Sequence, residues 1–284
     1  MKRKGLTRID ALVAIACIVF LFINIGILTA GARKSAKKEV CLANIQALTA
    51  GWQAYAEDNG GKVVNGSPSQ GAMCQDCPYN CKAMAPIIPT DYRYKELPWV
   101  GTIWNNSDWR IPAPESCQRC AIKTGALWKY VKTIDIYRCP DINQNFLFTY
   151  SIIDSMNGFG DIGRGVPTSL VKSLVKKNIS QIETPDKKIV FIEEMIPTPD
   201  SFGVYYNIEK WFDLPCIRHN NGTNVSFADG HGEFWKWKSQ ETISIGNGGT
   251  YAIAPVSASA KQDLYRVQIG CWGKLGYTPT VPVE

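Results

Sequence analysis

Histidine is scarce in this chain, since only His219 and His231 occur among 284 residues. The sequence also lacks a glycine-rich loop of the kind that cradles phosphate groups. The two histidines are expected to face each other near the base of one hairpin, close to Asp229, but Ser226 has no nucleophile elbow around it. We therefore favour His219 and Asp229 in hydrogen bonds to loop backbone, predict no enzymatic activity, and rank an anchored hydrolase that uses His219 lowest.

An excess of basic residues is missing from most of the chain. The formal net charge is +6, yet residues 1–38 alone hold eight of the 31 basic residues and one of the 25 acidic residues. The remaining residues hold 23 basic and 24 acidic side chains, so they are close to neutral. A nucleic-acid-binding domain needs a basic face, and we expect no nucleic-acid partner.

Charged side chains are absent from Ala11 to Ala30, a run rich in Ile, Leu, Val, Phe and Ala. As a helix this run would be roughly 30 Å long, which matches the hydrocarbon core of a bilayer. A secretory signal has a shorter apolar region followed by a small-residue cleavage site, which this segment does not show. The basic residues within Met1–Lys4 predict a cytoplasmic N-terminus. The sequence thus predicts a single membrane span with a large domain on the other side.

An acidic residue, Asp10, stands directly before this apolar run. A lone carboxylate in the bilayer costs about 2.5–3.5 kcal/mol on insertion scales, so it needs water or a counter-ion. One interpretation places Asp10 at headgroup depth, wetted and partly paired with Arg8. In the other interpretation, a cation of a neighbouring molecule pairs with Asp10. The position of Gly5 and of the basic residues before it, relative to Asp10, favours this second interpretation.

The segment around Asp10 resembles the N-terminus of type IV pilin-like proteins. In that family a basic leader ends in glycine, a prepilin peptidase cuts after it, the new first residue is N-methylated, and the fifth mature residue is acidic. The resemblance implies cleavage after Gly5, methylation of Leu6, and an assembly role for Asp10 opposite the free N-terminus of a neighbouring subunit. This chain has Leu6 and Asp10 where the family usually has Phe and Glu, and Arg8 is atypical.

A helical pattern continues beyond the apolar run. Steps of four and three residues predict that one apolar face is formed by Cys41, Ile45, Leu48, Trp52 and Tyr55. The segment Asp58-Asn59-Gly60-Gly61 is a stop signal, because glycine readily adopts the left-handed conformation that ends helices. One helix from Leu6 to Asp58 would be about 80 Å long. The alternative is a break near Gly31, with an ordinary amphipathic helix after it.

The rest of the chain is long enough for one substantial domain. Its periodicity predicts helices at Ala121–Val131 and Thr168–Ile179, and strands at Ile134–Arg138, Phe146–Ile152 and Lys188–Glu194. Two alternating segments flank Asp229-Gly230 within Thr223–Lys238. Because Asp-Gly favours a two-residue type I′ turn, this stretch is predicted to form a hairpin.

The hairpin carries a second resemblance, since nine residues separate His219 from Asp229-Gly230. This His-x9-Asp-Gly pattern resembles the C-terminal motif of a large group of pilin-like proteins from planctomycete and related bacteria. The blocks CLANIQALTAGWQAYAEDNGG, GALWKYVKTIDIYRCPD and TYSIIDSMNG also resemble that group and occur in its order. The resemblance implies an α+β fold, in which a long N-terminal helix with a membrane-spanning first half packs on an antiparallel sheet.

The two resemblances imply a structural subunit of a type IV pilus-like filament or a type II secretion pseudopilus. The implied parts are a leader peptide (1–5), a transmembrane helix half (6–30), an amphipathic helix half (31–60) and a globular head with irregular Cys-rich loops (61–284). The protein would lie in the bacterial inner membrane with a periplasmic head, and would self-assemble with other pilin-like subunits. The alternative is a membrane-tethered extracytoplasmic module that binds a ligand such as a glycan, because nine tryptophans and twelve tyrosines offer contact area.

Ten cysteines are many for this length. Two CxxC units would supply four thiolates to a structural zinc ion, namely Cys74, Cys77, Cys117 and Cys120. In an extracytoplasmic head the same residues are allowed to form disulfides, which we favour. Both alternatives stay open, because connectivity cannot be read from sequence.

Clustered carboxylates offer a weaker hypothesis about a cofactor. Hard cations such as Ca²⁺ bind clustered oxygens, and some pilin-like proteins bind Ca²⁺ near their C-terminal loops. The chain has no EF-hand loop, so a calcium site would depend on Glu193, Glu194, Asp213 and Asp229.

Overall fold

The structure is a computed structural model that describes residues 8–68, 96–101, 110–142, 144–158, 164–197 and 200–284. In residues 8–30 it describes the helical backbone, and side chains are described from residue 31 onward. Four residues named above lie outside the described residues: Gly5, Leu6, Cys74 and Cys77. The side chain of Asp10 also lies outside them, so its assembly role stays a prediction.

The N-terminal element is a single helix, α1 (Arg8–Asp58), of 51 residues. It passes Gly31 without interruption, so the predicted long helix is confirmed and the alternative break is wrong. Residues 31–37 are exposed, whereas Cys41, Ile45, Leu48 and Trp52 are completely buried and Tyr55 is half-buried. The helix stops before Gly60 and Gly61, whose φ angles are 63° and 82°.

Within the described part of the chain, no helix is both long enough and apolar enough to serve as a membrane span. The run Ala11–Ala30 lies in the portion of α1 whose side chains are not described. The membrane-spanning first half of the helix therefore stays a prediction.

The head is built on a four-stranded antiparallel sheet in the order β1-β2-β3-β4. Its strands are β1 (Tyr150–Ile152), β2 (Ile189–Glu193), β3 (Gly222–Phe227) and β4 (Gly232–Lys236). Every residue of β1, β2 and β3 is buried. Strands buried on both faces require cover on each side, and two helices provide it.

Helix α1 covers one face of the sheet. The Thr49 hydroxyl lies 2.6 Å from the Ser226 hydroxyl of β3. A β-carbon on Gly232 of β4 would lie 2.8 Å from Gln46 and 2.9 Å from Leu42. Since real β-carbons do not approach other atoms so closely, glycine at this position lets the helix lie directly on the sheet.

The opposite face is covered by α6 (Ala258–Trp272), a helix that the periodicity above does not predict. Gly270 faces the Ile189 side chain so closely that a β-carbon would collide with it. The Arg266 guanidinium stacks 3.9 Å from the centre of the Trp235 ring of β4. The helix ends at Gly273, which has the left-handed conformation expected of a C-terminal cap.

The remaining helical elements are short and connect the larger ones. The α-helices are α2 (Glu115–Thr124), α3 (Val171–Leu174) and α5 (Gln240–Asn247). The label α4 is given to Arg218–Asn221, a single turn whose last three residues have positive φ angles. Single 3₁₀ turns occupy Ala126–Lys129, Ile134–Tyr137, Thr168–Leu170 and Ile179–Gln181.

Several local predictions need correction. The predicted helix at Ala121–Val131 is divided at Gly125, whose backbone is extended, with φ −71° and ψ 154°. The backbone of Trp99 and Val100 lies so close to Gly125 that a β-carbon would not fit there. The predicted strand at Ile134–Arg138 is a 3₁₀ turn against α1. The predicted helix at Thr168–Ile179 shrinks to a 3₁₀ turn followed by α3.

The false strand at Ile134–Arg138 has a physical explanation. The side-chain amide of Asn44 on α1 donates to the carbonyls of Asp135 and Arg138, at 3.3 and 3.1 Å. These carbonyls therefore face the helix and do not join a sheet ladder. The strand predicted at Lys188–Glu194 is confirmed as β2, and of Phe146–Ile152 the last three residues form β1.

The predicted hairpin is confirmed as β3 and β4, but its turn differs from the prediction. Gly230 N–H donates to the Phe227 carbonyl, and Phe227 N–H donates to the His231 carbonyl, both at 2.9 Å. Gly230 has a φ of 100°, whereas Asp229 has no positive φ. This is a three-residue loop with glycine in the left-handed position, and not a two-residue type I′ turn.

Candidate functional site

Four side chains from four separate segments meet between α1 and the sheet, and we call them the sulfur cluster. Its members are Cys41 of α1, Cys139, Glu193 at the end of β2, and His219 of α4. One ligand-type atom from each lies within 4.8 Å of all the others, and all four residues are buried. Over the described ranges, this is the one group of three or more His, Cys, Asp or Glu residues that meets this condition.

An unusual backbone places His219 in the cluster. His219, Asn220 and Asn221 have φ angles of 55°, 68° and 66°, so three consecutive residues with β-carbons are left-handed. This conformation costs roughly 1–2 kcal/mol per residue and persists where the surrounding structure imposes it. The imidazole Nε2 lies 3.2 Å from Cys139 Sγ and 3.2 Å from Glu193 Oε1.

Each sulfur of the cluster accepts a hydrogen bond from outside it. The Tyr150 hydroxyl donates to Cys41 Sγ at 3.1 Å. The backbone N–H of Asp141 donates to Cys139 Sγ at 3.4 Å. Donors of this kind stabilise sulfur that carries negative charge.

The two thiols differ in their affinity for a proton. The hydrogen bond with Cys41 lowers the pKa of Cys139, with help from His219 and against the effect of burial. Burial raises the pKa of Cys41 well above its ordinary value. Of the two thiols, Cys139 therefore loses its proton more readily.

Glu193 is a fully buried carboxylate with several donors around it. Arg218 Nη1 donates to its Oε1 at 3.1 Å, and the backbone and side-chain N–H groups of Asn224 each lie 3.4 Å from its Oε2. Burial alone would raise the pKa of Glu193, but the hydrogen bond from His219 and the charge of Arg218 outweigh it and hold the pKa at about 2.

The same contacts act in the opposite direction on His219. Burial would lower its pKa, but the hydrogen bonds to Cys139 and Glu193 raise the pKa to about 10. The outer nitrogen, Nδ1, is buried and has no hydrogen-bond partner among the described residues. The Asp141 carboxylate lies 3.9 Å from it, which is close but beyond hydrogen-bond length.

The cluster thus combines two sulfurs, one imidazole and one carboxylate in a buried position. Sulfur and imidazole ligands select zinc and related transition metals, whereas calcium and magnesium prefer oxygen alone. In the form described here, a proton on Nε2 of His219 would occupy the centre of the group. A metal ion that displaces this proton would meet all four donor atoms at once.

The motif residues that the sequence singled out do not form one site. Asp229 and Gly230 lie in the hairpin loop, where Asp229 Oδ1 is 2.6 Å from Nδ1 of His231. His219 precedes β3 and His231 follows it, so the strand separates them by roughly 20 Å. The expectation that the two histidines face each other is therefore wrong.

The geometry also argues against a catalytic triad. The Ser226 hydroxyl is buried against Thr49 at 2.6 Å, and His219 is directed toward Cys139 and Glu193. The expected hydrogen bonds of His219 to loop backbone are likewise replaced by contacts with side chains. Asp229 does accept one from loop backbone, from His231 N–H at 3.1 Å.

The two described CxxC cysteines lie on α2. Cys117 and Cys120 are disulfide-bonded, which supports the disulfide interpretation over a zinc site for these two residues. Two other cysteines outside the sulfur cluster, Cys216 and Cys271, are free and buried.

The four carboxylates of the calcium hypothesis do not all lie together, although Glu194 and Asp213 line the same pocket. Glu193 belongs to the sulfur cluster, and Glu194 accepts a hydrogen bond from the Ser151 hydroxyl. Asp213 accepts the Gly203 N–H at 2.6 Å, and Asp229 lies in the hairpin loop. The four carboxylates therefore do not form the calcium site that was considered.

Sequence reasoning did not link the other three members of the cluster, Cys41, Cys139 and Glu193, to His219. Cys139 belongs to a block that resembles the pilin-like group, which was the one available signal for it. In comparisons with protein-family models, curated proteins and solved structures, no match to this chain was found.

Proposed function

We propose that this chain is a structural, non-enzymatic subunit of a type IV pilus-like filament or type II secretion pseudopilus. The observation that carries the proposal is the continuity of α1 from Arg8 to Asp58. At about 1.5 Å per residue, a helix of this length measures roughly 75 Å, more than twice a hydrocarbon core.

The packing of α1 divides the helix into two functional parts. Its exposed stretch, residues 31–37, separates the apolar run from the part that is buried against the sheet. The buried part begins at Cys41 and holds the head, while the preceding part is available for membrane insertion and for contacts with other subunits. A simple membrane anchor would not need to continue into the head as the same helix.

Assembly would depend on processing at the N-terminus. A prepilin peptidase in the inner membrane would cut after Gly5 and expose Leu6 as an N-methylated terminus, with the head in the periplasm. The carboxylate of Asp10 would then pair with the terminal cation of an adjacent copy, which offsets the cost of placing that carboxylate in lipid.

Intact mass and a pair of variants at Asp10 test this proposal. Protein extracted from native membranes is expected to have lost Met1–Gly5 and gained one methyl group. Asp10→Ala should abolish recovery in the filament fraction, whereas Asp10→Glu, which keeps the charge, should assemble. Uncut protein that stays monomeric, or equal assembly of Asp10→Ala and wild type, would contradict the filament proposal.

A surface groove favours a second candidate, a membrane-tethered module that binds a ligand. The groove has a volume of about 460 Å³ between β4 and α6, and its lining includes Trp235, Lys238, Tyr265 and Arg266. The rings of Trp235 and Tyr265 are buried, so a glycan would meet mainly the charged side chains of the groove, such as Lys238 and Arg266, as hydrogen-bond donors to its hydroxyls.

A glycan array with the detergent-solubilised full chain tests this second candidate. Binding should fall at least tenfold in Arg266→Ala, and should be unchanged in Lys132→Ala, which alters an exposed lysine away from the groove. Absence of binding by the wild type would eliminate the glycan-binding candidate and leave the filament proposal intact.

A further inference from the structure

We propose that Cys41, Cys139, Glu193 and His219 bind one Zn²⁺ ion in a closed structural centre. The ion would join the assembly helix α1 to three segments of the head. This inference goes beyond the filament proposal and does not depend on it.

The distances within the cluster suit a tetrahedral zinc ion. With Zn–S distances of about 2.3 Å and Zn–N or Zn–O distances of about 2.0–2.2 Å, neighbouring donor atoms should be roughly 3.3–3.8 Å apart. His219 Nε2 is already 3.2 Å from both Cys139 Sγ and Glu193 Oε1, and no pair of donor atoms exceeds 4.8 Å. Contraction of any pair by at most about 1.5 Å would complete the coordination.

The charges around the cluster also balance a divalent ion. Two thiolates and one carboxylate carry three negative charges, of which Zn²⁺ neutralises two. The Arg218 guanidinium, 3.1 Å from Glu193 Oε1 and itself buried, neutralises the third. A buried ion with its ligands is stable only when its surroundings compensate the charge in this way.

The donors behind the ligands are those that a metal centre needs. The Tyr150 hydroxyl and the Asp141 N–H donate hydrogen bonds to the two sulfurs, and Arg218 donates one to the Glu193 carboxylate. The unpartnered Nδ1 of His219 faces the Asp141 carboxylate at 3.9 Å. Ligating histidines usually donate their second N–H to such a carboxylate, which fixes the ring.

A disulfide between Cys41 and Cys139 is the competing explanation for two neighbouring sulfurs. Both cysteines are free in this structure. A disulfide would also give no reason for an imidazole and a carboxylate to converge on the same point. The left-handed backbone at His219 directs the ring to that point, and a metal bond would offset its cost.

Metal analysis of the full chain tests the proposal. The protein would be extracted in detergent, purified through a tag without histidine, and analysed by mass spectrometry of its metals. About one zinc per chain is expected. Cys139→Ser and His219→Gln should reduce the zinc content at least tenfold, whereas Cys216→Ser and Cys271→Ser, which alter buried free cysteines outside the cluster, should retain it.

A titration of the wild type removes dependence on variants that fail to fold. Protein stripped with a chelator and supplied with Co²⁺ should develop thiolate-to-cobalt charge-transfer absorption and the visible bands of a tetrahedral ion, and one equivalent of Zn²⁺ should abolish them. Three results would overturn the proposal: a Cys41–Cys139 disulfide in natively isolated protein, no cobalt spectrum, or unchanged zinc content in a folded Cys139→Ser variant. None of them would affect the filament proposal.

Discussion

The two faces of the sheet are closed by helices in different ways. On the α1 face, polar contacts accompany the buried apolar side chains of Ile45, Leu48 and Trp52. Thr49 meets Ser226, and the sulfur cluster joins Cys41 to Glu193 and His219. On the α6 face the contacts are close and mainly apolar, with one buried amine, Lys188.

One sheet thus combines a face that fixes the position of its covering helix with a face that packs tightly against its helix. Hydrogen bonds and ligand-type contacts fix the position of α1 along the sheet, since they require particular distances and directions between their atoms. Apolar packing on the α6 face has no such direction and depends on shape, as at Gly270 beside Ile189. Four measurements test the contrast, and the largest effect is expected on the α1 face.

Removal of the cluster imidazole should have the largest effect. His219→Ala leaves Glu193 and Cys139 in the interior without their shared donor, and breaking a buried group of this kind costs about 3–5 kcal/mol. Denaturant unfolding followed by tryptophan fluorescence measures the loss. The control, His231→Ala, removes a partly exposed ring beside Asp229 and should cost at most about 1 kcal/mol. Equal losses in the two variants would show that the cluster adds nothing specific.

The buried amine on the α6 face, Lys188, should make the unfolding free energy depend on pH. Burial lowers the pKa of Lys188 to about 8, while its Nζ donates to the Cys271 carbonyl at 2.7 Å. The unfolded chain, with a lysine pKa of about 10.4, binds more protons between these values, so stability should rise with pH from about 8 to about 10.4. The rise should be on the order of 3 kcal/mol.

Comparison with Lys188→Met isolates this contribution from other titrating groups. The difference in unfolding free energy between wild type and Lys188→Met should change with pH over that window. Lys236→Met, at an exposed position of β4, should follow the wild-type curve. A pH-independent difference for Lys188→Met would contradict the buried-amine assignment.

A larger side chain should destabilise the protein on the tightly packed α6 face of the sheet, but not in the exposed stretch of α1. Gly270→Leu places a side chain where Ile189 already lies, and should cost about 2 kcal/mol despite the better helix propensity of leucine. Gly31→Leu, in the exposed stretch of α1 where nothing lies within 4 Å, should be neutral or stabilising by up to about 1 kcal/mol. Thermal unfolding of both variants checks the opposite signs.

The smallest effect is expected from the hydroxyl pair on the α1 face. Thr49→Val should cost about 1 kcal/mol, because it leaves the buried Ser226 hydroxyl without this partner. Ser226→Ala should cost less, because the Thr49 hydroxyl keeps its hydrogen bond to the Ile45 carbonyl at 2.9 Å. The double variant should be less destabilised than the sum of the two, since both polar groups are then removed. Strict additivity in this double-mutant cycle would show that the hydroxyls do not interact.

The sequence predicts those parts of the fold that depend on local pattern. The buried face of α1 follows from the spacing of Cys41, Ile45, Leu48 and Trp52, and its end follows from Gly60-Gly61. β2 and the hairpin follow from their alternation and from the Asp-Gly pair. Local pattern fails at Ile134–Tyr137, where the Asn44 side chain on α1 satisfies carbonyls that a strand would give to its neighbour.

The sequence around helix α6 contains the signals that mark the start and the end of a helix. Ser257 caps its start by accepting the Ala260 N–H, and Gly273 ends it with a φ of 81°. Between them, Leu264, Val267 and Cys271 repeat at steps of three and four and are buried. A serine before such a stripe and a glycine after it are ordinary boundary signals.

The spacing of residues along the chain does not predict the sulfur cluster. His219 stands out through its motif, yet that motif associates it with Asp229, which lies at the other end of β3. Cys139 and Glu193 reach the same point only because a 3₁₀ turn and β2 both end beside α1. Ligands that come from distant segments leave no fixed interval in the chain.

The position of Cys41 has a mechanical consequence. It is the first fully buried residue of α1 after the exposed stretch at residues 31–37. Tension applied along the helix from its N-terminal side would pass the surface contacts of Lys37 with Asp141 and of Lys38 with Phe234. It would then reach the buried interior first at Cys41, before Ile45 or Leu48. A covalent or coordinate cross-link there would spread the load over three chain segments, and shear between helix and sheet would have to rupture it first.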